Sequence, residues 1–586
     1  MGGRTPEPEA PLPPPVGPSP VSAAALGLVL FVALIANGRP IGSGDARPTE
    51  RVAASLAQEG NLDLDEYPDV EEPFAHQVGP HRVSIYPIGS AVFAVPVFLA
   101  ARPLFVLDET GSALAGKLAA SLLSAAAAAV FFVAVRTRRR SEGDAFRAAV
   151  VLALGTSLWS TSQALWQHPA ALLFLSAALL CMVRAESDDR WAGRAGLPLA
   201  LAMAARYADI ALVTVLAIGV AVRWPRRIAH LVAWAAPVAV LVLAYHWAYF
   251  GSPLRQGLTP RFSAPWGEGH LGLLVSPGKG LFVFTPIALI AVAGLVRALR
   301  YDDRVLAATC GAAALAHWLF VGRWAEWHGG ESWGPRLMTD ALPLLFLFLP
   351  DGYDLAPRLT VALGVLSVAV QALGAFAYDY RWERLRQRPV SAEHPELWDV
   401  PRSPIAFYAA RRLVLFALPR IADGKVEILE HPVVLGGAHG SRVAFPGDRL
   451  RVEGTDETLQ DVHEDRGARV QDGRLRLRGR WDGLFLRATD EARKRSLELR
   501  VDGEGSGVLY VGERSFWSPS VRWTTYPMTG RFHVRHPYTY ATSGGGDLVV
   551  TLGRAAGSAD IDSVALVPRS EPEGKVFKLG GESPKP

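Results

Sequence analysis

The strongest constraint on this chain is a series of apolar runs, each roughly 16–22 residues long, recurring from Val21 to about Ala377. A helix of that length crosses the hydrocarbon of a bilayer, so the runs predict a polytopic α-helical membrane protein. Candidate spans cover 21–37, 112–135, 147–165, 169–184, 196–208, 209–223, 228–248, 280–299, 305–321, 337–350 and 358–377. After Asp379 no such run occurs, and the last third of the 586 residues reads as soluble. Residues 86–106 are apolar enough to span, but Pro87, Pro96 and Pro103 interrupt them. We place them on the membrane surface as an interfacial helix, which leaves eleven spans.

Sidedness follows from arginine. Alternate loops carry Arg136-Thr137-Arg138-Arg139-Arg140, the stretch from Arg184 to Arg194, Arg223-Trp224-Pro225-Arg226-Arg227, the stretch from Arg297 to Arg304, and that from Asp351 to Arg358. The positive-inside rule makes these loops cytoplasmic. The N-terminus is then inside, and everything after Ala377 is outside. A net charge of +4 is slight for this length and gives no case for nucleic acid. Cys181 and Cys310 both lie within apolar runs, so the soluble third has neither a disulfide framework nor a cysteine-based zinc site. The Pro-rich residues 1–20 and the tail 571–586 read as disordered. The run at 21–36 lacks a basic leader and reads as a retained first helix.

In this register the outer face receives four loops of unusual content. The first, 38–111, holds Asp45, Arg47 and Glu50, then Asp63 and Asp65, then Tyr86-Pro87-Ile88-Gly89. The second is Trp166-Gln167-His168-Pro169. The third runs from Tyr249 through Arg255 to Ser276-Pro277-Gly278-Lys279-Gly280. The fourth is Arg323 through Trp327-His328-Gly329-Gly330-Glu331-Ser332 to Arg336. An aromatic belt accounts for several of the Trp and Tyr residues. It does not require Gly-Gly-Glu-Ser between two arginines, or a lysine in Pro-Gly-Lys-Gly.

The residue types suit transfer of a sugar from a lipid phosphate to a hydroxyl. That reaction needs a base for the hydroxyl proton and cations for the departing phosphate. Asp45 is the candidate base, with Glu50 as a second catalytic acid. Arg47, Arg255, Lys279, Arg323 and Arg336 are candidate phosphate and lipid ligands, set against a plain headgroup contact by snorkelling side chains. Tyr86, Gln167, His168, Arg206, His328 and Glu331 complete the candidate substrate contacts. Arg206-Tyr207-Ala208-Asp209 places charge beside an apolar span, where charge is functional by default. No His, Asp and Glu spacing matches a metal signature, so no metal ligands are assigned. No Walker motif or serine elbow is present.

From 425 to 570 the pattern changes to period 2, as in Arg474-Leu475-Arg476-Leu477 and Ser496-Leu497-Glu498-Leu499. It predicts an antiparallel β-sandwich, reached through a connector at 378–424.

Asp45 in the first outer loop, Tyr86-Pro87-Ile88-Gly89, Phe250-Gly251-Ser252-Pro253, Ser276-Pro277-Gly278-Lys279-Gly280 and Gly329-Gly330-Glu331-Ser332-Trp333-Gly334-Pro335-Arg336 occur in an order that resembles the GT-C superfamily. Those are membrane glycosyltransferases that use polyprenyl-phosphate sugars, such as the aminoarabinose transferases of lipid A and the protein mannosyltransferases. The resemblance covers roughly 21–400. It implies an inverting transfer on the outer side of the inner membrane to a lipid, glycan or protein acceptor, with Asp45 as base. Asp45 is followed by Ala46 and Arg47 where many relatives carry a second acid, so the resemblance leaves a divalent cation open as cofactor. The strands at 425–568 are similar to carbohydrate-binding jelly-roll modules. Two other classes compete: a transporter or flippase for a lipid-linked glycan, and a non-catalytic glycan-binding envelope protein.

Overall fold

In the computed structural model, residues 20–434 are described apart from 71–72, 140, 258–260, 302, 385–394 and 412. Beyond 434, the backbone of the strands between 442 and 567 is described. The terminal tails expected at 1–20 and 571–586 lie outside the described residues, Pro20 excepted.

The chain begins with α1 (Pro20–Ile35), then α2 (Arg47–Gln58), a two-stranded hairpin of β1 (Ala75–Val78) and β2 (His81–Ser84), and α3 (Gly89–Ala101). It continues through α4 (Glu109–Arg139), α5 (Glu142–Leu154), α6 (Ser157–Thr161), α7 (His168–Ala185), α8 (Arg190–Arg194), α9 (Gly196–Ala205), α10 (Ile210–Arg223) and α11 (Ile228–Phe250). Then come α12 (Glu268–Val275), α13 (Leu281–Phe284), α14 (Ala288–Tyr301), α15 (Arg304–Val321), α16 (Leu342–Phe346), α17 (Leu349–Leu355) and α18 (Pro357–Phe376).

Among the described residues, five segments are long and apolar enough to cross a membrane: α4, α7, α11 with its preceding turn, α15 and α18. The face that α11 turns outward carries Val232, Val240, Leu241 and Trp247, and α18 likewise exposes Val361, Val365 and Leu366. Contiguous apolar surface of this extent is ordinary only against lipid. The chain is a membrane protein.

The other runs read as spans form shorter or broken helices. The run at 147–165 splits into α5 and α6 because Thr156 starts a new helix, its Oγ1 accepting from Leu158 N at 3.2 Å. The pair at 196–223 is interrupted at Arg206, whose backbone is extended (φ −154°, ψ 105°), and by a 3₁₀ turn at Tyr207–Asp209. Pro286 separates α13 from α14, and Pro343 and Pro350 lie in the first turns of α16 and α17. Residues 332–352 are buried throughout. They thread the interior of the bundle, the only place where irregular backbone is tolerated at membrane depth.

The arginine-rich loops meet in two groups. Arg138, at the end of α4, pairs with Asp303 (2.8 Å) and Asp351 (2.6 Å), and Arg139 reaches Asp351 at 3.3 Å. Separately, Arg223 pairs with Glu186 at 3.0 Å, joining two more of these loops. Within the run 86–106 a helix forms as α3, which holds Pro96 inside it and buries Phe98.

Part of the expected connector is built into the membrane domain. Trp382 and Tyr408 are buried, the latter on a helix at Pro404–Arg411. Leu413–Ala422 pairs in register with Lys425–Val434. The boundary expected at 425 therefore falls inside a hairpin, because the apolar run Leu413-Val414-Leu415-Phe416 is itself part of a strand. Ala417 N donates to Asn37 O at 2.8 Å, and Val106 N donates to Gly424 O at 2.7 Å, fixing the hairpin to the helices.

Further along, two antiparallel sheets are described. One has six strands in the order Val521–Pro527, Ser506–Arg514, Pro537–Gly545, Arg480–Ala488, Ile561–Val567, Arg442–Ala444. The other has five, in the order Gly530–Arg535, Ser496–Gly503, Leu548–Arg554, Arg474–Leu477, Ala468–Gln471. The side chains that would pack them into a sandwich lie outside the described residues.

Candidate active site

After α1 the chain turns through Asn37–Ala46, bringing Asp45 to the start of α2. Its carboxylate is held from two sides. The Tyr86 hydroxyl donates to Oδ1 at 2.8 Å, and Arg336 Nη2 donates to Oδ2 at 2.6 Å. The same Nη2 donates to the Gly329 carbonyl at 2.8 Å, and the guanidinium lies 4.2 Å over the Trp166 ring. Arg336 Nε has no hydrogen-bond partner. The Asp45 side chain is 28% exposed and that of Arg336 10%, so the pair sits at the mouth of the site rather than in bulk solvent. Burial, more than the neighbouring Asp45 carboxylate, pushes the Tyr86 phenol well above its ordinary range.

A small cavity opens beside the pair, lined by Ile41, Ser160, Trp166, Glu331, Arg336 and Tyr380 among others. Tyr380 forms one wall with its backbone in the left-handed region (φ 64°), while its hydroxyl donates to Gly42 O at 2.6 Å. A non-glycine residue in that region is a local strain that surrounding contacts must hold.

The loop that presents Arg336 is anchored from beneath by Lys279. That ammonium is fully buried, donating to the carbonyls of Gly330 (3.0 Å) and Ser332 and lying 3.7 Å from Glu383. Glu383 also accepts from the Tyr378 hydroxyl at 2.8 Å. Burial favours the neutral forms of both, lowering the Lys279 ammonium to about 8 and raising the Glu383 carboxyl to about 7. Gly329 and Gly330 both have positive φ (71° and 63°), which lets consecutive carbonyls turn inward to Lys279 and Arg336. Lys279, expected to face phosphate, faces this loop instead.

Glu50 and Arg47 do not join Asp45. Glu50 is buried on α2, accepts from Leu165 N at 3.3 Å and packs where a Cβ at Gly116 would lie 2.8 Å from its Cγ. Burial raises its carboxyl to about 7. Arg47 donates to the Asp69 carbonyl at 3.3 Å and pairs with Glu109 at 3.6 Å. Arg323 donates to the carbonyls of Ala264 and Phe262 and lies 4.6 Å over Trp266, closing its own loop. Arg255 is exposed with no side-chain partner among the described residues. Gln167 sits at the cap of α7, its carbonyl accepting from Ser90 at 3.3 Å. His328 is buried and accepts from Gly330 N at 3.1 Å, and Glu331 lines the cavity.

His168 and Arg206 are brought together by Asp340. Its Oδ2 accepts from His168 Nδ1 at 2.7 Å and Arg206 Nε at 2.9 Å. Asp340 was absent from the sequence candidates, although a charge inside an apolar run is the signal that should have marked it. Trp166, Tyr378, Tyr380 and Glu383 were missed as well. For Tyr380 no sequence signal exists, since its backbone conformation is set by the packing around it.

No protein-family model and no curated protein matches the chain. Among solved structures, the chain is similar to the cryo-EM structure of the arabinofuranosyltransferase AftD from Mycobacteria, at 12% identity and a TM-score of 0.36. The match covers 94% of this chain and 60% of that one.

Proposed function

We propose that the protein is a membrane glycosyltransferase of GT-C type, moving a sugar from a polyprenyl-phosphate donor to an acceptor hydroxyl on the outer face of the membrane. One observation carries the reading: a carboxylate, a phenol and an arginine from three distant segments converge at Asp45 beside a small, largely aromatic cavity. The order of the outer-loop motifs and the apolar helices around them support it.

In this reading the donor phosphate takes the Arg336 guanidinium, whose buried Nε has no other partner, and thereby frees Asp45 Oδ2. Asp45 accepts the proton of the acceptor hydroxyl as the acceptor oxygen bonds to the anomeric carbon. The bond from that carbon to the phosphate oxygen breaks, and the single displacement inverts the configuration. The phosphate gains one negative charge on leaving, which Arg336 stabilises more strongly than the phosphodiester it first bound. Tyr86 holds Asp45 in place through Oδ1.

The test is turnover of a polyprenyl-phosphate sugar by the full chain in detergent or liposomes. Asp45→Asn keeps the size of the side chain and removes the proton acceptor. It should lower the rate by about 10²–10⁴ while donor affinity is kept. A properly inserted Asp45→Asn protein with normal turnover would refute the assignment. Failure of the wild-type chain to turn over any such donor, while moving it across liposomes, would favour a transporter.

A further inference from the structure

Below Arg336, the 3₁₀ turn Arg336–Ala341 carries Asp340 into the bundle, where it meets Asp209 from the Tyr207–Asp209 turn and His317 from α15. All three side chains are fully buried, and their ligating atoms lie within 4.8 Å of one another. Both carboxylate oxygens of Asp209, Oδ1 of Asp340 and Nδ1 of His317 have no hydrogen-bond partner. A buried polar atom without a partner is costly, and these four belong to three side chains gathered in one cluster.

The outer partners define which atoms are free. Asp340 Oδ2 is taken by His168 and Arg206, leaving Oδ1 turned inward. His317 Nε2 lies 2.8 Å from the Leu337 carbonyl, so Nε2 carries the proton and Nδ1 presents a lone pair. That lone pair faces Asp209 Oδ1 at 3.8 Å. The gap is too long for a hydrogen bond, whichever of the two atoms carried a proton. It is the right size for a cation between them, since two ligands each about 2.1 Å from one ion lie at most about 4.2 Å apart. An imidazole nitrogen fixed by its other ring N–H on a carbonyl, and a carboxylate fixed through its outer oxygen, are the usual surroundings of metal ligands. Arg206 lies 3.4 Å from Asp209 and 2.9 Å from Asp340, one guanidinium beside two buried carboxyl groups.

We propose that Asp209, His317 and Asp340 bind a divalent first-row transition metal of the zinc class. An imidazole among the ligands disfavours calcium and magnesium. A water completes the coordination, and Arg206 Nη2, itself without a partner, is available to donate to it. The metal ties three segments together, one of which presents Arg336 at the mouth of the site. The proposal does not depend on the chemistry assigned to Asp45.

The test is the metal content of the full chain, expressed with zinc, manganese, iron and cobalt in the medium, purified in detergent and desalted. About one equivalent per chain is expected, and less than a tenth of an equivalent overturns the proposal. X-ray absorption at the metal edge should show nitrogen and oxygen ligands at about 2.0–2.2 Å and no sulfur. Asp209→Asn and His317→Gln, each eluting as the wild type does, should lose the metal by tenfold or more. Retention in both places the metal elsewhere and overturns the assignment. Should neither variant fold, a map of the wild-type chain decides. Density about 2.1 Å from all three side chains supports the site. No density there, or a peak at water distance of about 2.8 Å, overturns it.

Discussion

A single nitrogen of Arg336 donates to Asp45, 291 residues away, and to Gly329, seven residues away. The first loop of the chain and the late glycine loop are therefore tied through one guanidinium. This relationship yields a prediction that separates binding from chemistry. Arg336→Lys keeps a charge but loses the fork and the stacking on Trp166. Charge-assisted hydrogen bonds of roughly 1.5–3 kcal/mol are at stake, so donor affinity should fall about 10- to 100-fold. Titration of the donor against both proteins checks it, and an unchanged affinity would show that the phosphate is held elsewhere.

Glu50 gives a prediction in pH. Its folded carboxyl is raised to about 7 from an unfolded value near 4.5, so the native state binds more protons than the unfolded one between these values. Stability contributed by neutral Glu50 is complete below about pH 4.5 and is lost as pH rises toward 7. Glu50→Gln should therefore match the wild type in thermal unfolding at pH 4.5 and exceed it at pH 8. A variant that is less stable than the wild type at pH 8 would contradict this.

At the opposite end of the bundle, Asp351 and Arg138 pair with side-chain exposures of 1% and 4%. Asp351→Ala strands a buried guanidinium and should cost about 3–5 kcal/mol. Asp303 offsets part of this loss through its own bond to Arg138. Unfolding of single and double variants would show the coupling: Arg138→Met should reduce the cost of Asp351→Ala.

Sidedness is checked by thiol labelling, because Cys181 and Cys310 are both buried. A cysteine at the exposed position Glu66 should react with an impermeant reagent in intact cells, and one at the exposed position Glu142 should not. Labelling of both would undo the assignment of faces.

Much of this arrangement was legible in the sequence, and the reasons are physical. Arginine clusters at alternate helix ends predict loops gathered on one face, and Arg138, Asp303 and Asp351 meet in ion pairs. Asp45, Tyr86 and Arg336 were marked by polar content in loops where a belt needs none, and they converge. What was not legible is the division of labour among like residues. Lys279 and Arg336 are equal as cations in sequence, yet one is absorbed by loop carbonyls and the other faces Asp45. That choice depends on carbonyl directions set by Gly329 and Gly330, which no spacing records. The helix break at Thr156 was missed because the apolar pattern runs on through it, whereas the break at Arg206 lies two residues from the boundary expected between 208 and 209.

The buried course of residues 332–352 bears on how the protein is made. A segment with no lipid-facing side has no stable position alone in a bilayer, and its Asp340 and Asp351 would be expensive there. Their partners Arg138, His168 and Arg206 all precede it in the chain. The ribosome therefore delivers these charged partners before the stretch that needs them, while the aromatic packing of Trp333 waits for Tyr378 and Tyr408, which are made later.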